Sequence, residues 1–384
     1  MKGMVKAYKA YKFRIYPNDE QKVLINKNFG CARFVYNYYL TYIREHKYLN
    51  ATACINHYVK QLKQEYPFLS ETDSILIRKT LFNLENAFKK FFNKQGGYPN
   101  YKSKFSKNSY NTSAIYRTYK ERIYCNIELN LNTKQIKLPK LKWINIRGYR
   151  NLQEIKGKIV NATISREPNG KYYVSVVYEK PILNNKYVVP KNIVGLDLGI
   201  KKLITLSDGV TFANNKYILK YEKKIKRLQR NLSRKVKKSK NYYKCKHMLA
   251  ILYSKLKNAR NYYLHKITKE ITDNNDIIVT EKLQTKNMLQ NKNLSKSITD
   301  ASFYEIIRQL QYKSKNKGKY FYQIDTFYPS SQTCSVCGRI DSKYKDLTIR
   351  EYNCCNCKNI LDRDLNASIN IMFEGLKLHM RNIA

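Results

Sequence analysis

The chain has 384 residues, 43% of them hydrophobic and 13% aromatic, enough for two or three compact units with real interiors. Lys and Arg number 74 against 28 Asp and Glu, a formal charge of +46, so nucleic acid is the simplest partner to relieve the self-repulsion. No apolar run approaches the roughly 18 residues of a spanning helix, and Met1 to Lys6 lack the apolar stretch of a signal peptide. A membrane role is thereby excluded, and the expectation is a cytoplasmic, nucleoid-associated protein.

Residues 5 to 16 alternate apolar or aromatic with basic side chains, which predicts a half-buried strand ended by Pro17-Asn18-Asp19. From Glu20 to about Asn93 apolar residues recur three and four apart, as at Val23, Phe34, Tyr38, Leu81, Leu84, Phe88 and Phe91, which predicts helices interrupted at Tyr66-Pro67. Gly96-Gly97 and Pro99 end that pattern. Between about 113 and 180 strands return, clearest at Lys158 to Ser165 and Tyr172 to Tyr178 around the turn Glu167-Pro168-Asn169-Gly170. A helical block inserted into a small antiparallel barrel is the expected architecture.

After Pro190 the character changes. Asn192 to Asp197 is apolar and β-branched, and Gly199 to the Asp208-Gly209 turn reads as a second strand. Long basic helices are predicted from Tyr217 to about Thr272. Their apolar stripes are Ile218, Tyr221, Ile225, Leu228 and Leu232, then Leu252, Leu256, Ala259, Tyr263 and Ile267. Lys223, Lys224, Lys226, Arg227 and Arg230 fill the other faces, which suits either a solvated hairpin or, beside nuclease strands, the tracking of phosphates.

Three acids stand where two-metal phosphodiester hydrolysis needs them, on separate elements able to converge on hard cations. Asp197 follows the first buried run, and an unpaired carboxylate in such a strand is costly unless it has a use. Glu281 ends a second run, Asp276 to Glu281, where an ordinary surface Glu or helix cap is the competing reading. At the start of a final helix, whose apolar face is read as Leu365, Ile369, Met372 and Leu376, Asp362 has the place of an N-cap, leaving Asp364 as the better ligand. Strand, strand and helix follow in the order that an RNase H-like sheet supplies.

Nine cysteines include Cys334-x-x-Cys337 and, after sixteen residues, Cys354-x-x-Cys357, the spacing of a closed tetrathiolate Zn²⁺ ribbon without an open coordination position. That metal is structural, and Cys355 is a spare thiol. The five histidines (His46, His57, His247, His265 and His379) stand singly, which excludes a His-metal nuclease.

The motifs and their order resemble the TnpB (OrfB) family, RNA-guided DNA endonucleases of bacterial insertion sequences related to type V CRISPR effectors. The resemblance is nearly full length. It includes Tyr11-Lys12-Phe13-Arg14-Ile15-Tyr16-Pro17, Ala32-Arg33-Phe34-Val35-Tyr36-Asn37 and Gly195-Leu196-Asp197-Leu198-Gly199-Ile200-Lys201. It continues through Val279-Thr280-Glu281-Lys282-Leu283, Ser330-Ser331-Gln332-Thr333-Cys334 and Asp362-Arg363-Asp364-Leu365-Asn366-Ala367. It implies an α/β multidomain protein: a wedge β-barrel over 1–17 and 106–189, a helical recognition lobe over 18–105, a RuvC-like RNase H-like nuclease domain over 190–329 and 359–384, and a zinc ribbon over 330–358. It implies catalytic roles for Asp197, Glu281 and Asp364 with two Mg²⁺ (Mn²⁺ able to substitute), and Zn²⁺ on Cys334, Cys337, Cys354 and Cys357. Its implied partners are a guide RNA from the element's right end and double-stranded target DNA beside a short adjacent motif. The alternatives are a guided repressor that binds without cutting, an accessory factor that binds duplex without RNA, and a compact type V CRISPR effector.

Overall fold

The computed structural model describes residues 4–46, 48–148, 157–183, 190–346 and 348–383. The chain divides into two compact units, Met1–Asn184 and Asn185–Ala384. Residues 1–3 and the expected domain boundary at residue 189 lie outside the described residues.

In the first unit β1 (Met4–Tyr16) is followed by α1 (Asp19–Glu45). Asn18 accepts from the Gln21 backbone while the Gln21 side chain accepts from Asn18, a reciprocal cap that converts the Pro17-Asn18 punctuation into a helix start. Then come α2 (Ala51–His57), a π-helical turn (Tyr58–Leu62), α3 (Lys63–Glu65), a 3₁₀ turn (Pro67–Glu71) at the predicted interruption, and α4 (Ser74–Phe92), capped by Asp73. The core face of α1 is Ile25, Phe29, Ala32, Tyr36, Tyr39 and Ile43, whereas Val23 is 54% exposed and Phe34 and Tyr38 only border the core. Periodicity alone gave the wrong stripe there, because aromatic and apolar residues sit on more than one side of α1.

The remaining strands of this unit are β2 (Asn108–Ser113), β3 (Tyr116–Tyr119), β4 (Arg122–Cys125), β5 (Glu128–Asn130), β6 (Gln135–Leu138), β7 (Lys142–Arg147), β8 (Lys158–Arg166) and β9 (Tyr172–Leu183). Seven of the strands form one antiparallel sheet ordered β2-β8-β9-β1-β7-β6-β5, and β3 and β4 form a separate hairpin. Among the described residues no pair joins β2 to β5. Phe13, Ile15, Ile164, Val174 and Val176 from the sheet share one core with Val35, Tyr39, Leu76 and Leu84 from the helices. The helices between β1 and β2 are thus packed onto the sheet that they interrupt.

The second unit carries β10 (Ile193–Asp197), β11 (Lys202–Leu206), β12 (Thr211–Ala213), α5 (Tyr217–Ser233), α6 (Lys240–Asn274), β13 (Ile277–Glu281), α7 (Thr285–Met288), α8 (Ser295–Ala301), α9 (Phe303–Asn316), β14 (Tyr320–Ile324), β15 (Glu351–Asn353), β16 (Ile360–Asp362) and α10 (Arg363–Ile383). The main sheet has the order β12-β11-β10-β13-β14, antiparallel on the β11 side of β10 and parallel on the β13 side. Side chains alternate across it. Val194, Leu196 and Ile278 face the core built with α6 and α9, whereas Ile277 and Val279 share a second core with Ile371 of α10. Of the stripe predicted for α5 only Ile225 is buried, so most of that basic helix stays solvated.

Candidate active site and cysteine ribbon

The parallel register pairs Leu196 with Thr280, so one residue further Asp197 stands beside Glu281 on strands about 4.8 Å apart. Period-2 alternation puts both on the face with Gly195 and Val279, the side covered by α10. Gly195 is what lets α10 lie there. A Cβ at this position would sit 2.1 Å from the Ser368 carbonyl oxygen and 2.5 Å from the Met372 nitrogen. Asp364 lies one helical turn before Ser368, and Asp197 two strand residues beyond Gly195. Both displacements are roughly 6 Å from the same contact, which brings the two acids to one end of it.

The electrostatics record the convergence. Burial, then the charges of Glu281 and Asp364, push Asp197 up to about 8, opposed by the nearby Arg363 guanidinium. Burial also raises Glu281, opposed by a hydrogen bond donated by the Ser330 hydroxyl to its Oε1. Asp362 is the cap expected of it, with Oδ1 accepting from the backbone nitrogens of Asp364 (3.0 Å) and Leu365 (3.2 Å) while Oδ2 pairs with Lys202 at 2.9 Å.

The apolar face predicted for α10 is corrected. Leu365, Ile369, Met372 and Leu376 are only half-buried, and the buried set is Arg363, Asn366, Ala367, Ser368, Asn370, Ile371, Gly375 and His379. A helix pressed onto a glycine-bearing strand places small residues at the contact and pushes large ones to its flanks. The two asparagines do structural work of another kind. Asn366 and Asn370 both donate to the Thr333 carbonyl at 2.7 Å, Asn370 also donates to the Ser330 carbonyl at 2.8 Å, and the Ser335 nitrogen donates to Asn366 at 2.9 Å. They clamp the segment leading into Cys334 onto the helix that carries Asp364.

All four cysteine sulfurs lie within 4.8 Å of one another, and the Cys334–Cys357 and Cys337–Cys354 separations are 3.6 Å. Sulfurs around one tetrahedral ion at about 2.3 Å stand about 3.8 Å apart, so the set fits a single ion. Each knuckle is closed in the same way: Gly338 and Lys358, both left-handed, donate to the carbonyls of Cys334 and Cys354. Stacked Tyr344 and Tyr352 form the small core beside them, and Cys355 points outward. Among the described residues, the carboxylate oxygens of Asp197, Glu281 and Asp364 do not all lie within 4.8 Å of one another.

Sequence reading missed the ribbon's reach toward the acids. Arg350 lies 3.8 Å from the Asp364 carboxylate, and buried Arg363 donates to the carbonyls of Asp346 and Ile349 within the ribbon. Ser330 belonged to a motif already noticed, yet its chemistry was unassigned. Arg350 had no signal at all in the chain.

Comparison with known proteins settles the lineage. A Streptomyces pristinaespiralis protein assigned as an RNA-guided DNA endonuclease is 32% identical over 382 residues, covering 97% of this chain and 90% of its own length. The chain belongs to the TnpB (OrfB) family. An Escherichia coli K12 relative, the RNA-guided DNA endonuclease InsQ, is also 32% identical, covering 97% of this chain and 93% of itself. Family models match residues 173–292 (OrfB of IS605, "Probable transposase"), 303–371 (Cas12f1-like TNB domain) and 4–49 (helix-turn-helix domain). The last label does not describe the geometry, because the described residues of that span form one strand and one helix. The Cas12f1 chain of a Cas12f1–sgRNA–target DNA complex shares the fold, with a TM-score of 0.57 at 14% identity over 96% of this chain and 99% of its own. No helix among the described residues is long and apolar enough to cross a membrane.

Proposed function

We propose that this family member is an RNA-guided DNA endonuclease that hydrolyses phosphodiesters at Asp197, Glu281 and Asp364. The observation that carries the reading is the placement of Asp197 and Glu281 in register on the α10 face, with Asp364 close enough to raise the Asp197 carboxyl. A carboxyl held protonated by burial and by the charges of two neighbouring acids marks a site that divalent cations complete, and hard oxygen donors suit Mg²⁺ or Mn²⁺. Two such ions would supply an activated water and stabilise the leaving oxygen. Ser330 holds one Glu281 oxygen, and Arg350 stands beside Asp364 where a phosphate would need a cation.

The remaining assignments follow from the same reading. The sheet of the first unit is the wedge (1–17 and 106–189) and its inserted helices the recognition lobe (18–105). The RuvC-like domain (190–329 and 359–384) carries the Zn²⁺ ribbon (330–358). The partners are a guide RNA from the right end of the element and target DNA, met at the nucleoid. Purified protein with the RNA that copurifies should cut matched duplex in Mg²⁺. Tight guided binding with the DNA left intact in both Mg²⁺ and Mn²⁺ would instead make it a repressor.

Three further outcomes are expected. Asp197 is raised in the folded metal-free protein, so the folded state keeps a proton that the unfolded chain releases, and stability declines as pH climbs from about 4 to about 8. Mg²⁺ should therefore raise the melting temperature more at about pH 8.5 than at about pH 6. A shift of the same size at both pH values, or one that persists in Asp197→Asn, counts against the site. Ser330→Ala should raise the Mg²⁺ concentration needed for half-maximal cleavage about tenfold with guide binding intact, and Ser330→Thr should recover it. Equal Mg²⁺ dependence in wild type and Ser330→Ala would remove Ser330 from the site. Cys354→Ser should release the single zinc and open residues 330–362 to protease, while Cys355→Ser keeps both the metal and the protection. Retention of one zinc per chain by Cys354→Ser would show the ligand set to be wrong.

A further inference from the structure

Within the first unit, Arg33 of α1 is half-buried and has neither an ion pair nor a hydrogen bond among the described residues. It borders a recess of about 290 Å³ together with Lys102 and Lys107, and no acid among the described residues lines it. Hydroxyl and amide groups complete the wall, including Thr80, Asn83 and Ser106. Three basic side chains around one recess with no acid among its lining residues favour an anion that they can share.

The recess is also held in shape. The Asn37 side chain donates to the Lys102 carbonyl at 2.9 Å and accepts from the Lys102 nitrogen at 2.8 Å, fixing the start of the loop. The Ser106 nitrogen donates to the Ser103 carbonyl at 3.1 Å, and the Ser103 nitrogen to the Ser106 hydroxyl at 3.2 Å, closing a tight turn before Lys107. The Lys102 ammonium lies 3.6 Å from the centre of the Tyr36 ring, which leaves it oriented without neutralising it. An unpaired arginine fork with flanking ammonium groups matches a phosphate, and neutral groups that both donate and accept match the ribose 2′-hydroxyl beside it.

We propose that this recess grips one backbone phosphate, with its ribose, of the RNA that the protein carries. The contact positions the RNA and reads no base. The inference rests on the RNA-guided reading, and its test separates the two. Binding of the full-length protein to its copurifying RNA, remade by transcription, is measured across salt concentrations. Arg33→Gln and Lys107→Gln should each weaken binding about tenfold and lower the slope of log affinity against log salt by about 0.7. Arg33→Lys should restore the slope but not the affinity, because the charge returns without the fork. Lys63→Gln, at an exposed lysine in the same unit outside the recess, should have little effect. Complexes preloaded with RNA should bind target duplex as wild type does.

Loss from Lys63→Gln equal to that from Arg33→Gln would overturn the proposal in favour of a diffuse positive field. Unchanged RNA affinity with impaired duplex binding would overturn it in favour of DNA. If the wild-type protein binds no RNA, the guided reading itself fails. If it binds RNA and the variants match it with unaltered melting temperatures, only the recess is refuted.

Discussion

Asp197→Ala should lower the rate of guided DNA cleavage by at least about 10³-fold while guide and target binding stay within about twofold of wild type. Asp197 is the acid raised by the charges of both Glu281 and Asp364, so under the proposed reading its loss removes a carboxylate that the other two flank. Binding survives because the positive charge that holds polynucleotide is spread over 74 Lys and Arg. The Mg²⁺-dependent rise in melting temperature should vanish in the same variant, a readout that does not depend on turnover. Unimpaired cutting by the Ala variant places the chemistry elsewhere.

Gly195→Ala is the second large effect, and it acts through the backbone. The added methyl would meet Ser368 oxygen at 2.1 Å and Met372 nitrogen and Cα at 2.5 and 2.9 Å, all backbone atoms that no rotamer change can move aside. Helix α10 must lift off β10, at a cost of about 3 kcal/mol in the stability of this unit. The lift separates Asp364 from Asp197, and a misplacement near 1 Å is worth about 10²-fold in rate. Gly375→Ala provides the internal comparison, because its methyl would meet the Val279 side chain, at 2.3 Å, and not a backbone. Combining Gly375→Ala with Val279→Ala should recover most of the stability, while no single truncation rescues Gly195→Ala. Denaturant unfolding together with cleavage rates measures both. A Gly195→Ala protein with native stability and rate would show that the helix does not rest on the strand as described.

Much of this was readable from residues in order. The strands ending in Asp197 and Glu281, the capping role of Asp362, the cysteine pairs and the hairpin of β8 and β9 each depend on local rules: side-chain period, cap chemistry, metal-ligand spacing and turn residues. Such rules act over a few residues and leave their mark in the chain. The buried face of α10 did not, because a stripe of Asn366, Ala367, Ser368 and Gly375 resembles a polar surface until a strand with its own glycine is laid against it.

The amino-acid sequence alone therefore determined which acids are candidates, which cysteines have the spacing to share an ion, and a part of the strands and helices, among them β1, β10, β13, α5, α6 and α10. Only the tertiary structure decided that Asp197 and Glu281 share a register and face α10, that Ser330 and Arg350 reach the acids from the ribbon, and that Arg33 opens onto a recess whose charged lining residues are all basic. The reason is physical: those relations join residues from 14 to more than a hundred positions apart, where contact is fixed by backbone approach and packing and no short-range pattern records the partner.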